Sequence, residues 1–285
     1  MIRLVRNGIF PITKDSKGNQ LANSPETGLA FPGTIQGEGK LAGIPSVFIR
    51  LSGCNLRCAW LLPDQSVSLC DTPYSSFETS GEEKWEIQDI ADIIRQNSSK
   101  ISHLVITGGE PMLQHHYLVE LIHRLQDIKA FHISIETNGT IYSEEMASLV
   151  HLFSISPKLE SSAPTPEKLE GSSFARFHNL AEGHLHRSNR THEIQQMIDF
   201  CRNHPEKHDF QLKFVFTGVD EEVEVIKFLN RLNNWHPDDV LLMPLGRTEE
   251  ELEQTSRLAL EACIRNGFRF APRLHIQVFG DKPGV

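Results

Sequence analysis

Three cysteines, Cys54, Cys58 and Cys70, fall within 17 residues of a 285-residue chain, and Cys54-Asn-Leu-Arg-Cys58 puts two of them on one turn. Clustered thiolates suit soft iron or zinc. A closed structural zinc site wants four ligands, and no histidine precedes His103. Three ligands leave one metal position open, the position a small molecule would take. The other two cysteines, Cys201 and Cys263, lie in segments of helical patterning and read as small apolar core residues. An odd number of cysteines with three crowded together is not a disulfide framework. His115-His116, His184, His186 and His192 have no paired ligand at a recognised spacing and read as solvated or core histidines. GTIQGEGK at 33–40 is not a phosphate loop, since Thr34 stands where the first Gly is needed and Leu41 where Ser or Thr is needed.

The remaining chemistry-bearing motifs stand at the carboxyl ends of successive predicted strands. PSVFIRLSG leads into the cysteines, HLVITGGEP breaks into a Gly-rich turn, FHISIETNG ends in Glu136, and HLFSISPK ends in Ser156, Pro157 and Lys158. Taken singly, TGGEP and ETNG are also ordinary turns. Strands FQLKFVFTG and DVLLMPLG and a last strand within FRFAPRLHIQVF follow. Helices near 87–94, 112–126, 143–149, 191–203, 220–233 and 248–266 separate them. Strand-helix alternation predicts an α/β fold with a parallel sheet and right-handed crossovers, and six units predict a partial (β/α)6 TIM-type barrel. Ligands bind where loops converge at the carboxyl ends of such strands, so one pocket is expected. RLVRNGIFPI, with its Asn-Gly, predicts a short hairpin or edge strand within an N-terminal extension over 1–30. The stretch 159–190 is long enough for a lid or a surface excursion.

With 28 Lys+Arg against 37 Asp+Glu, a net charge of −9 and no basic run, a nucleic-acid partner is not expected. No stretch of about 18 apolar residues appears and no secretion signal opens the chain, so no membrane partner and a cytoplasmic single-domain protein over 1–285 are expected.

The ordered set FPGTIQGEG (31–39), FIRLSGCNLRC (48–58), CDTPY (70–74), TGGEP (107–111), SPK (156–158) and RLHIQVFG (273–280) resembles the radical S-adenosylmethionine superfamily, and within it the 7-carboxy-7-deazaguanine synthases. The resemblance implies conversion of 6-carboxy-5,6,7,8-tetrahydropterin to 7-carboxy-7-deazaguanine with loss of ammonia, in queuosine and 7-deazapurine biosynthesis. It implies a [4Fe-4S] cluster on Cys54, Cys58 and Cys70, S-adenosylmethionine on its open iron, and Mg2+ on Thr72. S-adenosylmethionine would be cleaved to methionine and a deoxyadenosyl radical that takes hydrogen from the substrate. The partners implied are the pterin, a reductase such as flavodoxin, and a second copy in a homodimer.

Carried over residue by residue, Gly108, Gly109 and Glu110 would meet the methionyl amino group and Glu136 the ribose. Ser156, Pro157, Lys158 and Asp71 would stand on the cofactor side, with Met243, Pro244, Leu245 and Gly246 along the adenosine. Substrate would meet Ile35, Gln36, Gly37, Arg50 and Thr107, and the tail would reach it through Val285. One departure stands out: nine extra residues, 61–69, separate Cys58-Ala-Trp from the third cysteine, which leaves the adenine contact to Leu69 or Trp60. Two other readings are a radical activase of another protein, which would lack IQGEG and RLHIQ, and a zinc-stabilised binding protein.

Overall fold

The computed structural model describes residues 1–21, 29 and 33–280, Val219 by its backbone alone. Strand β1 (Ile2–Phe10) lies antiparallel to β2 (Ser46–Leu51). A small hairpin follows, β3 (Ala59–Leu61) and β4 (Val67–Leu69), then α1 (Pro73–Ser76), β5 (Glu83–Trp85) and α2 (Ile87–Asn97). Regular alternation runs from there: β6 (His103–Gly108), α3 (His115–Gln126), β7 (His132–Thr137), α4 (Glu144–Leu149) and β8 (Leu152–Ile155). Short helices α5 (Pro166–Leu169) and α6 (Ala181–Ser188) precede α7 (His192–Asn203), β9 (Asp209–Phe216), α8 (Val219–Leu229), β10 (Val240–Pro244), α9 (Glu249–Asn266), β11 (Arg269–Phe270) and α10 (Leu274–Phe279).

The main sheet has the order β11-β10-β9-β8-β7-β6-β2-β1-β5. From β2 through β6 to β11 neighbouring strands are parallel and follow chain order, as right-handed βαβ units require. Two edges remain, so the sheet is an open arc: a partial (β/α)6 barrel with a short seventh strand at one edge and an antiparallel pair at the other. Interior strands such as β6, HLVITG, are buried on both faces except at Gly108, which is why they read as continuous apolar runs. Helix α2 turns Ile87, Ile90, Ala91, Ile93 and Ile94 toward the sheet. Thr248 caps the start of α9, its hydroxyl accepting from the Glu251 amide, and Gly267 ends that helix in the left-handed region at φ 70.

One expectation changes. Asn7-Gly8 makes no hairpin turn: β1 runs on through it, Asn7 at φ 56, with a register shift against β2 between Leu4 and Ile9. A bulge absorbs the same turn-forming residues because β2 continues to pair with β1 beyond them, at Ile9 and Phe10. At the other end, the last strand expected within FRFAPRLHIQVF is Arg269–Phe270. Pro272 interrupts the ladder, and LHIQVF becomes α10, with Ile276 and Phe279 buried one turn apart.

Residues 159–190 fold onto the cysteine loop. Lys168 donates to the carbonyls of Ala59 and Ala163 at 3.0 and 3.1 Å, and Phe174 and Phe177 stack against Phe77.

Candidate active site

Each cysteine is placed by a different local device. β2 delivers the chain to Gly53, whose amide donates to the Ser75 carbonyl at 2.9 Å and whose carbonyl accepts from the Glu110 amide at 2.8 Å. The cysteine loop and TGGEP are thereby stacked backbone on backbone. Glycine is required there: Gly108 has φ 144, and a Cβ on Gly109 would lie 2.3 Å from the Gly53 oxygen. The extra residues 61–69 are the β3–β4 hairpin, turned at Gln65 with φ 68. At its base the Cys70 amide donates to the Cys58 carbonyl at 3.0 Å, so a long insertion brings the second and third cysteines side by side. Arg57 ties the loop from within, donating to the carbonyls of Cys54 and Leu56 at 2.7 and 2.8 Å beneath the rings of Phe77 and Phe177.

The three thiols share an apolar backing of Leu56, Trp60, Leu62 and Leu245. Burial, aided by the Glu110 carboxylate, pushes the Cys54 thiol up to about 12, and burial raises Cys58 well above its ordinary value. Anions here need positive charge supplied by what they bind. Among the described residues no group of three His, Cys, Asp or Glu side chains is closed around one metal position. A multi-iron cluster holds its thiolates farther apart, and three thiols on one wall of a cavity fit it.

That cavity, about 270 Å3, opens at the carboxyl ends of the parallel strands. A polar row crosses its floor because parallel register aligns it: Arg50 opposite Thr107, Glu136 opposite Ser154, Ser154 opposite Gln211. Thr107 donates to Glu136 at 2.9 Å, and Gln36 donates to its other oxygen at 3.1 Å. Arg50, read as either solvent edge or pocket, lines the cavity with its guanidinium 5.6 Å from the Phe10 ring, which stacks on Phe48 at 5.2 Å. Lys213 pairs with Glu38 and lies 3.9 Å from Glu136. Burial alone would lower Lys213, but the two carboxylates outweigh it and hold the ammonium charged. Glu38 is held well below the usual carboxylate range against its own burial by Lys213 and Arg273.

The cavity brings together Cys54, Cys58, Cys70, Thr72, Trp60, Asp71, Gly108, Gly109, Glu136, Ser156, Lys158, Met243 and Leu245 with Ile35, Gln36, Gly37, Arg50 and Thr107. Leu69, Pro157, Pro244 and Gly246 are not on its wall; of the two candidates for adenine, Trp60 is. Glu110 is fully buried beneath the wall. Its carboxylate accepts from the amides of Met112 and Asn138 at 2.9 and 2.7 Å and from the Thr137 hydroxyl at 2.8 Å, which leaves about one acceptor position. Val285 lies outside the described residues. Sequence reasoning missed Phe10, Phe48, Glu38, Lys213, Arg273 and His275, all on the wall. For Lys213 the signal was present, a lone cation inside the apolar strand FQLKFVF, the same pattern that singled out Arg50.

Residues 48–228 match the Radical SAM superfamily. The 7-carboxy-7-deazaguanine synthase of Halobacterium salinarum is 36% identical over 260 residues, 88% of this chain and 89% of the relative. That of Rhodopirellula baltica is 33% identical over 93% of this chain and 91% of the relative. Among solved structures, the crystal structure of QueE from Escherichia coli aligns with a TM-score of 0.53 at 23% identity, covering 94% of this chain and 95% of that one, and shares the fold. With its cysteine-walled cavity at the mouth of the parallel strands, the chain belongs to the radical SAM superfamily and, within it, to the 7-carboxy-7-deazaguanine synthases.

Proposed function

We infer that the chain converts 6-carboxy-5,6,7,8-tetrahydropterin to 7-carboxy-7-deazaguanine with release of ammonia, using a [4Fe-4S] cluster and S-adenosylmethionine. The observation that carries this reading is one cavity walled by three thiols on one side and by a row of buried, paired charges on the other. When bound, the cluster and S-adenosylmethionine supply a carbon-centred radical that takes hydrogen from the substrate. The protein binds, orients and excludes water. Cys54, Cys58 and Cys70 hold the cluster. The Gly108-Gly109 turn, Ser156 and Lys158, whose ammonium donates to the Ser156 hydroxyl at 2.6 Å, face the polar parts of the cofactor, and Trp60, Met243 and Leu245 its adenosine. Glu136 stands between the two ligands, with Gln36 and Thr107 fixing its oxygens.

Substrate recognition falls to Gln36, Arg50 and Thr107, with the Phe10–Phe48 stack offering a flat apolar face to a fused ring. Thr72, on the cavity wall 3.6 Å from the Cys70 sulfur, would give Mg2+ a hard oxygen ligand beside the substrate carboxylate. A reductase such as flavodoxin would supply the electron. Self-association as a homodimer would complete the assembly, which sedimentation of the full chain tests. No helix among the described residues is long and apolar enough to cross a membrane.

The deciding experiment is anaerobic reconstitution followed by assay with the carboxy-tetrahydropterin. About four irons per chain and a deazaguanine product are expected. Zinc in place of iron, or cleavage of S-adenosylmethionine with no deazaguanine formed, would overturn the reading. Thr72→Ala should blunt the response to Mg2+ and leave the cluster spectrum intact; an unchanged response would remove Mg2+ from Thr72.

A further inference from the structure

Arg273 is a buried charge to which the proposed reaction gives no task. Arg273 is 6% exposed, and its donors go to three separate loops: Nε to Glu38 at 3.0 Å, Nη1 to the Gly246 carbonyl at 2.6 Å, and Nη2 to Asp71 at 2.7 Å. Each loop carries a different part of the site. Glu38 follows Ile35–Gly37, Asp71 stands between Cys70 and Thr72, and Gly246 follows Met243–Leu245. A guanidinium forks in three directions at once, whereas an ammonium is a point charge that cannot satisfy three fixed partners so far apart.

The surroundings reinforce the junction. Leu274 donates its amide to the Gly37 carbonyl at 2.9 Å, and a Cβ on Gly37 would lie 2.0 Å from the ring of His275, so the end of the chain is interlocked with the 35–38 loop. From Arg273 the charges alternate outward through Glu38 and Lys213 to Glu136. Asp71, Arg273, Glu38, Lys213 and Glu136 thus connect the third cysteine to the floor of the cavity.

We propose that Arg273 is a positioning residue that sets the separation between the cysteine loop and the substrate loop, so that hydrogen transfer is confined to a filled site. The proposal rests on the function inferred above. Hydrogen transfer needs its partners in near contact, and a displacement of about 1 Å costs on the order of 100-fold in rate. Loosening the junction should therefore uncouple cleavage of S-adenosylmethionine from product formation without emptying the cluster site.

The test uses reconstituted Arg273→Lys, which keeps the charge but not the fork, and Asp71→Asn, which keeps an acceptor oxygen but takes the charge out of the arm to the cysteine loop. Iron content should stay at the wild-type value in both, and Arg273→Lys should bind S-adenosylmethionine within about twofold of wild type. Deazaguanine formation should fall about 100-fold in Arg273→Lys and about tenfold in Asp71→Asn. Deoxyadenosine released per deazaguanine should rise several-fold in both, and the change that substrate causes in the electron paramagnetic resonance spectrum of the reduced cluster should shrink. Two results overturn the proposal: an unchanged ratio in both variants, or product and iron lost in equal proportion, which would make Arg273 a prop of the fold. A wild-type enzyme that forms no deazaguanine at all overturns the functional reading itself, and the proposal with it.

Discussion

His103 shows how a single residue ties stability to pH. At the amino end of β6 its two ring nitrogens contact the hydroxyls of Ser46 and Ser134, each at 2.7 Å, and the His132 ring lies 5.3 Å away. Burial, with the neighbouring His132, pushes it down to about 4. The unfolded imidazole titrates near 6.5, so as pH falls protons bind the unfolded chain first. Stability is whole above about pH 6.5 and drains away as pH falls toward 4. Denaturant unfolding should show a loss of about 2 kcal/mol between pH 7.5 and 5.0 from this residue. His103→Gln, which can still bond both serines, should remove that part of the slope; an undiminished slope would place the titration elsewhere. Gly109 is the other critical single residue, since an added Cβ would meet only backbone, the oxygens of Gly53 and Ser75 at 2.3 and 2.6 Å. Gly109→Ala must part the two stacked loops, and equilibrium dialysis should find S-adenosylmethionine bound about tenfold more weakly or worse, with iron still present.

At the scale of elements, the hairpin over 61–69 explains how a widened cysteine spacing keeps its geometry. The bonds Cys70 to Cys58 and Leu62 to Ser66 alternate along the antiparallel ladder, which makes Trp60 and Ser68 the hydrogen-bonded pair between them. Ser68→Pro removes a donor from that pair and should lower the iron retained after gel filtration. Deleting 61–69 as a unit joins Trp60 to Cys70 and should cost less iron than that single proline, because the hairpin returns the chain to where it left. The opposite ranking would mean that the hairpin itself holds the cluster.

Among the described residues the main apolar core runs from Ile2 on β1 to Cys263 on α9, with smaller apolar clusters at the ligand site, which lies at the carboxyl ends of the strands. Binding energy at the site therefore adds to a core that is already complete. At about 100 times its dissociation constant, S-adenosylmethionine should stabilise the cluster-loaded protein by about 2.7 kcal/mol, read as a rise in the thermal midpoint. In Cys54→Ala, which lacks a proposed cluster ligand, the same addition should raise it little. Equal rises in the two proteins would show that the cofactor binds without the cluster.

Local information in the chain was enough for the fold class and most of the pocket. The alternation of apolar runs with helical periodicity specified parallel strands in chain order, and that order alone sends Cys54, Gly108, Glu136 and Ser156 to one mouth, since each stands at or just past the carboxyl end of a strand pointing the same way. What neighbours decide was not legible. Asn7-Gly8 has the composition of a hairpin turn and became a bulge, because β2 pairs with β1 on both sides of it, at Leu4 and at Ile9–Phe10. How far the last strand within FRFAPRLHIQVF would run was open: it stops at Phe270, before Pro272, and LHIQVF is helix. The buried pairs of Glu38 with Lys213 and Arg273 join residues far apart in sequence, and only folding brings them within reach. A charged side chain in a sequence reads as solvated until a partner is seen, because burial without one costs more than the fold can supply, and the partner is a property of tertiary structure.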